Sequence, residues 1–187
     1  MFANGENTRA FTRVNANRTP PHQPGCDNRT MTSLTIRPAT ELDSRDLFNW
    51  RNDAQTRAVS LSTDEVTWQD HQRWFTASLA NPARHIFICR TMLDGAEESI
   101  GMVRFDVDDI GSSAEVSINL NPSARGRGFG SQTLMAGIET FLNGEPDVRQ
   151  LTAQIRDSNE ASVAIFTKVG FALTKSESGV GRFVRVS

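Results

Sequence analysis

The stretch Ala114-Glu-Val-Ser-Ile-Asn-Leu-Asn-Pro-Ser-Ala-Arg-Gly-Arg-Gly-Phe-Gly-Ser131 decides the fold. Its first residues alternate. Ala114, Val116, Ile118 and Leu120 face one way and Glu115, Ser117 and Asn119 the other, which is the period of a half-buried strand. Pro122 ends that strand, and Arg125-Gly-Arg-Gly-Phe-Gly130 opens a helix expected over about 129–143. A helix N-terminus carries unpaired N–H groups and about half a positive charge, so it attracts phosphate. Glycine lets the backbone approach phosphate oxygens because no Cβ intervenes. Arg125 and Arg127 add positive charge for the same anion. The loop lacks both the Gly-Lys-Ser/Thr ending of a nucleotide-triphosphate loop and the context of a dinucleotide fingerprint. On its own it reads as a pyrophosphate cradle or as an ordinary glycine turn entering a helix.

Upstream, Leu34-Thr-Ile-Arg-Pro38 is expected to be a short strand. Thr40 caps a helix with Leu42, Leu47, Phe48 and Trp50 on its apolar side, reaching about Asn52. A second helix over roughly 67–80 offers Trp68, Trp74, Phe75 and Leu79 for burial, and Asn81-Pro82 stops it. Strands at about 85–91 and 99–107 flank the turn Leu93-Asp94-Gly95. Downstream come a strand at 149–156, a helix at 159–169 and a hairpin at 171–186. This order describes an α/β (α+β) chain.

Residues 1–30 differ. They hold Pro20, Pro21 and Pro24 among the chain's seven prolines, with many Asn and Thr and few apolar residues. Such a segment cannot bury enough surface to offset its ordering entropy, so a disordered extension is expected, with the domain at 31–187. An early start ahead of Met31 and an Arg-containing transit peptide are the other readings. The net charge of −2 argues against a nucleic-acid binder, and no run approaches the roughly 18 apolar residues of a membrane span. Cys26 and Cys89 suggest no disulfide framework, and His22, His71 and His85 share no metal-ligand spacing with them. A reducing, cytoplasmic setting without a metal site is expected.

Arg-x-x-Gly-x-Gly at 125–130, just beyond the strand Ala-Glu-Val-Ser-Ile-Asn-Leu-Asn-Pro, resembles the acyl-CoA loop of the GNAT superfamily of N-acyltransferases. The downstream element Asn159-Glu-Ala-Ser-Val-Ala-Ile-Phe-Thr-Lys-Val-Gly-Phe171 resembles the same superfamily's Asn-x-x-(Ala/Ser)…(Tyr/Phe)-x-x-x-Gly-Phe pattern. The resemblance runs from about Leu34 to Val186. It implies a mixed, mostly antiparallel sheet, flanked by helices and splayed between its fourth and fifth strands, with acetyl-CoA as cofactor. On that resemblance, backbone groups of Ile118, Asn119 and Leu120 meet the pantetheine arm. Gly126, Arg127, Gly128, Phe129, Gly130 and Ser131 hold the pyrophosphate with Arg125, and Asn159 contacts the cofactor beside Phe166.

Amide formation needs a neutral amine, a thioester and a route for one proton. Glu115 is the candidate base or relay, with a rim carboxylate that only attracts substrate as its alternative. Many relatives protonate the leaving thiolate with a tyrosine where this chain has Phe166, and this chain has no tyrosine. A thiol pKa near 8.5 makes CoA a tolerable leaving group regardless. Gln154 stands where some relatives that acetylate protein N-termini carry a glutamate.

Trp50-Arg-Asn52, His71-x-x-Trp-Phe75 and Val103-Arg-Phe-Asp106 together resemble a subgroup acetylating nucleotide-linked amino sugars in pseudaminic-type acid synthesis. The ribosomal-protein N-acetyltransferase-like group is the second resemblance. Arg51, Asn52, His71, Trp74, Arg104 and Ser117 are the candidate substrate contacts. Arg51 also reads as a helix-end cation, His71 as a surface histidine, and Trp74 and Phe75 as core. The expected partner is a small-molecule amine, with neither nucleic acid nor membrane. The alternatives are an enzyme of protein N-termini or small amines, and a non-catalytic acyl-CoA-binding module. The oligomeric state is open, a homodimer included.

Overall fold

The computed structural model describes residues 34–186, so the expectations for residues 1–30, Cys26 included, lie outside the described residues. Strand β1 (Thr35–Pro38) leads through a 3-10 turn into α1 (Ser44–Asn52), α2 (Ala54–Val59) and α3 (Trp68–Ala80). Then follow β2 (Arg84–Leu93), β3 (Ala96–Val107), β4 (Ser113–Leu120), α4 (Phe129–Gly144), β5 (Gln150–Arg156), α5 (Glu160–Lys168), β6 (Ala172–Glu177) and β7 (Val180–Val186). The strands form one sheet in the order β1-β2-β3-β4-β5-β7-β6. Every neighbouring pair is antiparallel except β4 and β5. This is the mixed, mostly antiparallel sheet that the GNAT resemblance implies.

Alternation along the central strands gives the sheet two apolar faces. Phe87, Val103, Phe105 and Val116 pack with Leu134, Ile138 and Phe141 of α4 in one core. Phe105 and Phe141 stack with ring centroids 4.1 Å apart. Ile86, Ile88 and Met102, on the opposite face, pack against Leu47 and Trp50 of α1 and Phe75 of α3. Helices therefore cover both faces. Cys89 is buried in the α4 core, where desolvation pushes its thiol up to about 12.

Two expected core residues are exposed. Leu42 lies in the 3-10 turn Glu41–Asp43 ahead of α1, out of phase with that helix, and is 92% exposed. The buried stripe of α3 runs through His71, Phe75 and Ser78, which turns Leu79 outward. Helix α2 was absent from the expected order because none of its residues is buried, so it leaves no apolar period. Its signal is the cap. Asp53 Oδ2 accepts from the Thr56 N–H at 3.0 Å.

Asp43 anchors the start of α1 to β1. Its carboxylate takes both ends of the Arg37 guanidinium, at 2.8 and 2.7 Å, and the Thr40 N–H at 2.7 Å. Burial pushes this carboxyl up, but the bonds from Arg37 and Thr40 outweigh burial and hold its pKa below the ordinary value. A depressed folded pKa means that the stabilisation is complete above the unfolded value of about 3.9 and is lost as pH falls through the folded one. Asp43→Asn is expected to cost about 2 kcal/mol at neutral pH. That corresponds to roughly 4–8 °C in Tm for a chain of this size. Thermal melts of the two proteins should differ by a constant amount between about pH 5 and 7 and converge below about pH 4.

Candidate active site

Pairing between β4 and β5 covers only Ser113–Glu115 and Gln150–Thr152. From Val116 onward β4 pairs with β3 alone, so its other edge faces a gap. The parity of that edge follows from two hydrogen bonds. Ser113 C=O accepts from Asp108 N–H, and Asn121 N–H donates to Ile100 C=O, both on the β3 side. Odd-numbered backbone groups therefore serve β3, and those of Val116, Ile118 and Leu120 point into the gap. The backbone groups of Asn119 serve β3, which corrects the expectation for that residue. A strand edge whose N–H and C=O groups face a gap suits an amide-rich ligand, although the Leu120 carbonyl accepts from Arg125 Nη2 at 3.4 Å.

The gap widens into a cleft of about 950 Å³. Of the expected site residues, Glu115, Ser117, Ile118, Asn119, Leu120, Arg125, Gly126, Gly128, Phe129, Gly130, Ser131, Asn159 and Phe166 line it, as do Arg51, His71, Trp74 and Arg104. The fold thus gathers three distant parts of the chain around one space. Gly126 and Gly128 sit at φ +71° and +83°, conformations that favour glycine, and open space lies where each Cβ would be. Gly128 is the N-cap of α4, whose first turn holds no acidic residue. The backbone N–H groups at that end are therefore presented to the cleft without a competing carboxylate. Gly130 lets α4 close on Ile165 of α5.

The two arginines of the loop are already engaged. Arg125 Nη1 lies 2.6 Å from Asp53 Oδ2, and its Nη2 donates to Thr56 Oγ1 at 2.5 Å. Arg127 makes two hydrogen bonds to the Asp94 carboxylate, at 3.2 and 3.3 Å, and does not line the cleft. The expectation of mobile positive charge for the anion is corrected accordingly.

At the acceptor end Glu115 is the last β4 residue paired with β5, at the point where the two strands part. Gln154 Nε2 donates to its Oε2 at 3.2 Å. Arg104, beside Ser117 in the sheet register, pairs with Asp106 at 2.9 Å, and Arg84 pairs with the same carboxylate. Arg51 Nη2 donates to the Ser62 carbonyl at 3.0 Å, while its buried Nη1 has no hydrogen-bond partner. Asn52 is used structurally. Its amide exchanges two hydrogen bonds with the Val66 backbone, at 2.8 and 2.9 Å, and it does not line the cleft.

His71 is 3% exposed rather than on the surface, stacked between Trp68 and Phe75 at 5.5 and 5.7 Å. Burial lowers its pKa against a smaller opposing effect from a Ser44 backbone hydrogen bond, so the ring is neutral near pH 7. Its Nε2 is buried without a partner. Phe75 is core, whereas Trp74 both packs on that core and lines the cleft. Phe166 is buried edge-to-face on Phe171 at 5.0 Å. Sequence reasoning missed the wall made by Gln55, Thr56, Val59, Ser60 and Leu61, and also Arg156. Only the Asp53 cap announces that wall.

Residues 33–172 match the family model described as the acetyltransferase (GNAT) domain. The chain belongs to the GNAT acetyltransferase family. It is an acyltransferase, and acetyl-CoA is the donor of its family. Over 118 residues this GNAT enzyme is 29% identical to a Bacillus subtilis (strain 168) protein provisionally named phosphinothricin acetyltransferase YwnH, spanning 63% of this chain and 70% of that one. It is 28% identical to an N-acetyltransferase 9-like protein of Nematostella vectensis, over 69% of this chain and 56% of the relative. The spermidine N-acetyltransferase of Vibrio cholerae, solved with CoA and spermine, shares the fold at TM-score 0.69 and 19% identity, covering 82% of this chain and 95% of that one. The gap edge, the glycine cap and the cleft volume fit the donor.

Among the described residues, no group of His, Cys, Asp and Glu is placed to hold a metal ion. No described helix is long and apolar enough to cross a membrane.

Proposed function

We propose that this enzyme transfers the acetyl group of acetyl-CoA to a primary amine carried on an anionic, hydroxyl-bearing small molecule, best matched by an amino sugar on a nucleotide. The observation that carries this reading is the polarity of the acceptor end. Arg51, Arg104 and Arg156 line it, and Glu115 is the one carboxylate among the described lining residues. Arg51 Nη1 and His71 Nε2, both buried and unpartnered, offer a cationic donor and a neutral acceptor. A buried unpaired group costs about 1–3 kcal/mol, which a phosphate or carboxylate oxygen at Arg51 and a sugar hydroxyl at His71 would recover. A polyamine has neither group and would meet like charge.

The donor supplies an electrophilic acetyl thioester. In this reading Glu115 takes the proton from the attacking amine, directly or through water, and Gln154 orients the carboxylate. Nitrogen bonds to the acetyl carbon, the carbon–sulfur bond breaks, and CoA leaves as thiolate. With Phe166 in place of a tyrosine, the thiolate takes its proton from water or, through water, the one that Glu115 received from the amine.

A second reading keeps the arginines and changes the acceptor to an amino-acid-type anion, in line with the Bacillus relative's name. Free-thiol release from acetyl-CoA separates these, using a nucleotide-linked amino sugar, the free sugar, phosphinothricin, spermidine and an N-terminal peptide. The nucleotide-linked sugar should exceed the free sugar at least about tenfold in kcat/KM, and Arg51→Ala should remove most of that margin. Fastest turnover with spermidine would overturn the anionic acceptor. CoA affinity without release from any amine would leave a binding module.

A further inference from the structure

We infer that Arg125 is a positioning residue that ties the donor cradle to the acceptor wall, so that filling the cradle orders α2. The inference rests on acetyl-CoA being the ligand of the glycine loop. Arg125 begins that loop, yet its guanidinium is directed at residues about 70 positions earlier. Nη1 pairs with Asp53 at 2.6 Å and reaches Gln55 Oε1 at 3.3 Å. Nη2 donates to Thr56 Oγ1 at 2.5 Å and to the Leu120 carbonyl, on the gap edge of β4, at 3.4 Å. Asp53 is in turn the cap of α2, so a single carboxylate holds the arginine and the helix start together. The Arg125 hydrogen bond, followed by that from the Thr56 N–H, keeps the Asp53 carboxyl below the usual range.

Helix α2 depends on such ties. It has six residues and buries none of them, and a helix that short is not stable by itself. Across the gap, Arg156 Nη2 donates to the Leu61 carbonyl at 3.1 Å and Asn159 Nδ2 to the Val59 carbonyl at 3.4 Å. Residues 53–61 thus bridge the splay, pinned to the β4 lip by Arg125 and to the β5 lip by Arg156 and Asn159. The same residues form the acceptor wall.

A ligand on the N–H groups of 126–131 restrains the loop that carries Arg125, and through its three-way fork restrains Asp53 and Thr56. A wall ordered in advance costs the acceptor less to bind, which is positive coupling without any new contact. A lysine would not replace this arginine, because it has one point charge for partners on several sides.

Amide hydrogen exchange with and without CoA tests the coupling and needs no acceptor. CoA should slow exchange in both 126–131 and 54–59 of the wild type. Asp53→Asn keeps a good helix cap but removes the carboxylate, and Arg125→Gln removes the fork from the other side. Asp53→Asn should bind CoA within about threefold of wild type, and both variants, once saturated with CoA, should keep the protection at 126–131. Both should lose roughly tenfold of the CoA-induced slowing at 54–59, a typical size for coupling between sites. Two variants on opposite sides guard against failure of either to fold. Unchanged slowing at 54–59 in both would overturn the coupling alone. CoA affinity lowered more than tenfold in both would make Arg125 part of the cofactor site and overturn it too. A wild type that does not bind CoA would overturn the cradle itself, a separate failure.

Discussion

Gly128→Glu is expected to abolish acetyl-CoA binding, raising Kd by at least about a hundredfold, or about 2.7 kcal/mol. Three effects act together. Gly128 holds φ +83°, and a side chain there costs roughly 1–2 kcal/mol in a conformation that L residues avoid. The residue caps α4, so a carboxylate would occupy the N–H groups and the positive dipole end that the cradle offers to phosphate. The two arginines of the loop are already paired, Arg125 with Asp53 and Arg127 with Asp94, so neither is at hand to cancel the added charge. The space around the Gly128 Cβ position is open, so the side chain displaces ligand rather than core. The variant should therefore stay folded, with a thermal midpoint only a few degrees lower. Isothermal calorimetry decides the matter: retained micromolar affinity would sink the cradle assignment.

Glu115→Gln should lower kcat/KM about a hundredfold near neutral pH, within the range that a positioned base contributes. The substitution is close in shape and keeps an acceptor for the Gln154 amide, so position is preserved while basicity is lost. An aliphatic amine has a pKa near 10 and arrives mostly as ammonium at pH 7, so a proton must leave before attack. The deficit of the variant should shrink as pH rises toward the amine's own pKa, where the free amine no longer needs that help. A parallel pH–rate profile for the two proteins would reduce Glu115 to a carboxylate that attracts cations. The site makes its demand on this residue sharper, because Phe166 supplies no proton and stands buried against Phe171.

The two faces of the cleft differ in how much of them the sequence made legible. The donor side was readable because its chemistry is backbone chemistry over adjacent residues. Alternation along Ser113–Leu120 set the strand, the glycines set the turn, and the helix that follows sets the dipole. Even there the arginines misled. A side chain next to a phosphate loop looks free for phosphate until its partner is known. The acceptor side was readable as residue types but not as roles. His71 looked like a surface histidine because only the packing of α1 against α3 encloses it with Phe48, Trp68 and Phe75. Asn52 looked like a substrate contact, and the chain turn that brings Val66 to it makes it a structural clamp. Helix α2 escaped altogether, since a helix without a buried face has no hydrophobic period to read.

By itself the sequence determined a strand, a glycine-capped helix and a second helix opened by Asn159, and the resemblance of 125–130 and 159–171 to the GNAT motifs supplied the family and its donor. The elements rest on backbone geometry and near-neighbour periodicity, which a chain carries locally. Only the tertiary structure decided that Arg125 pairs with Asp53, that the wall at 54–61 exists, and that Arg51 and His71 keep buried groups unpaired. The partner of a charged side chain is chosen by whichever groups packing brings within about 3 Å, and no local pattern records a partner about 70 residues away.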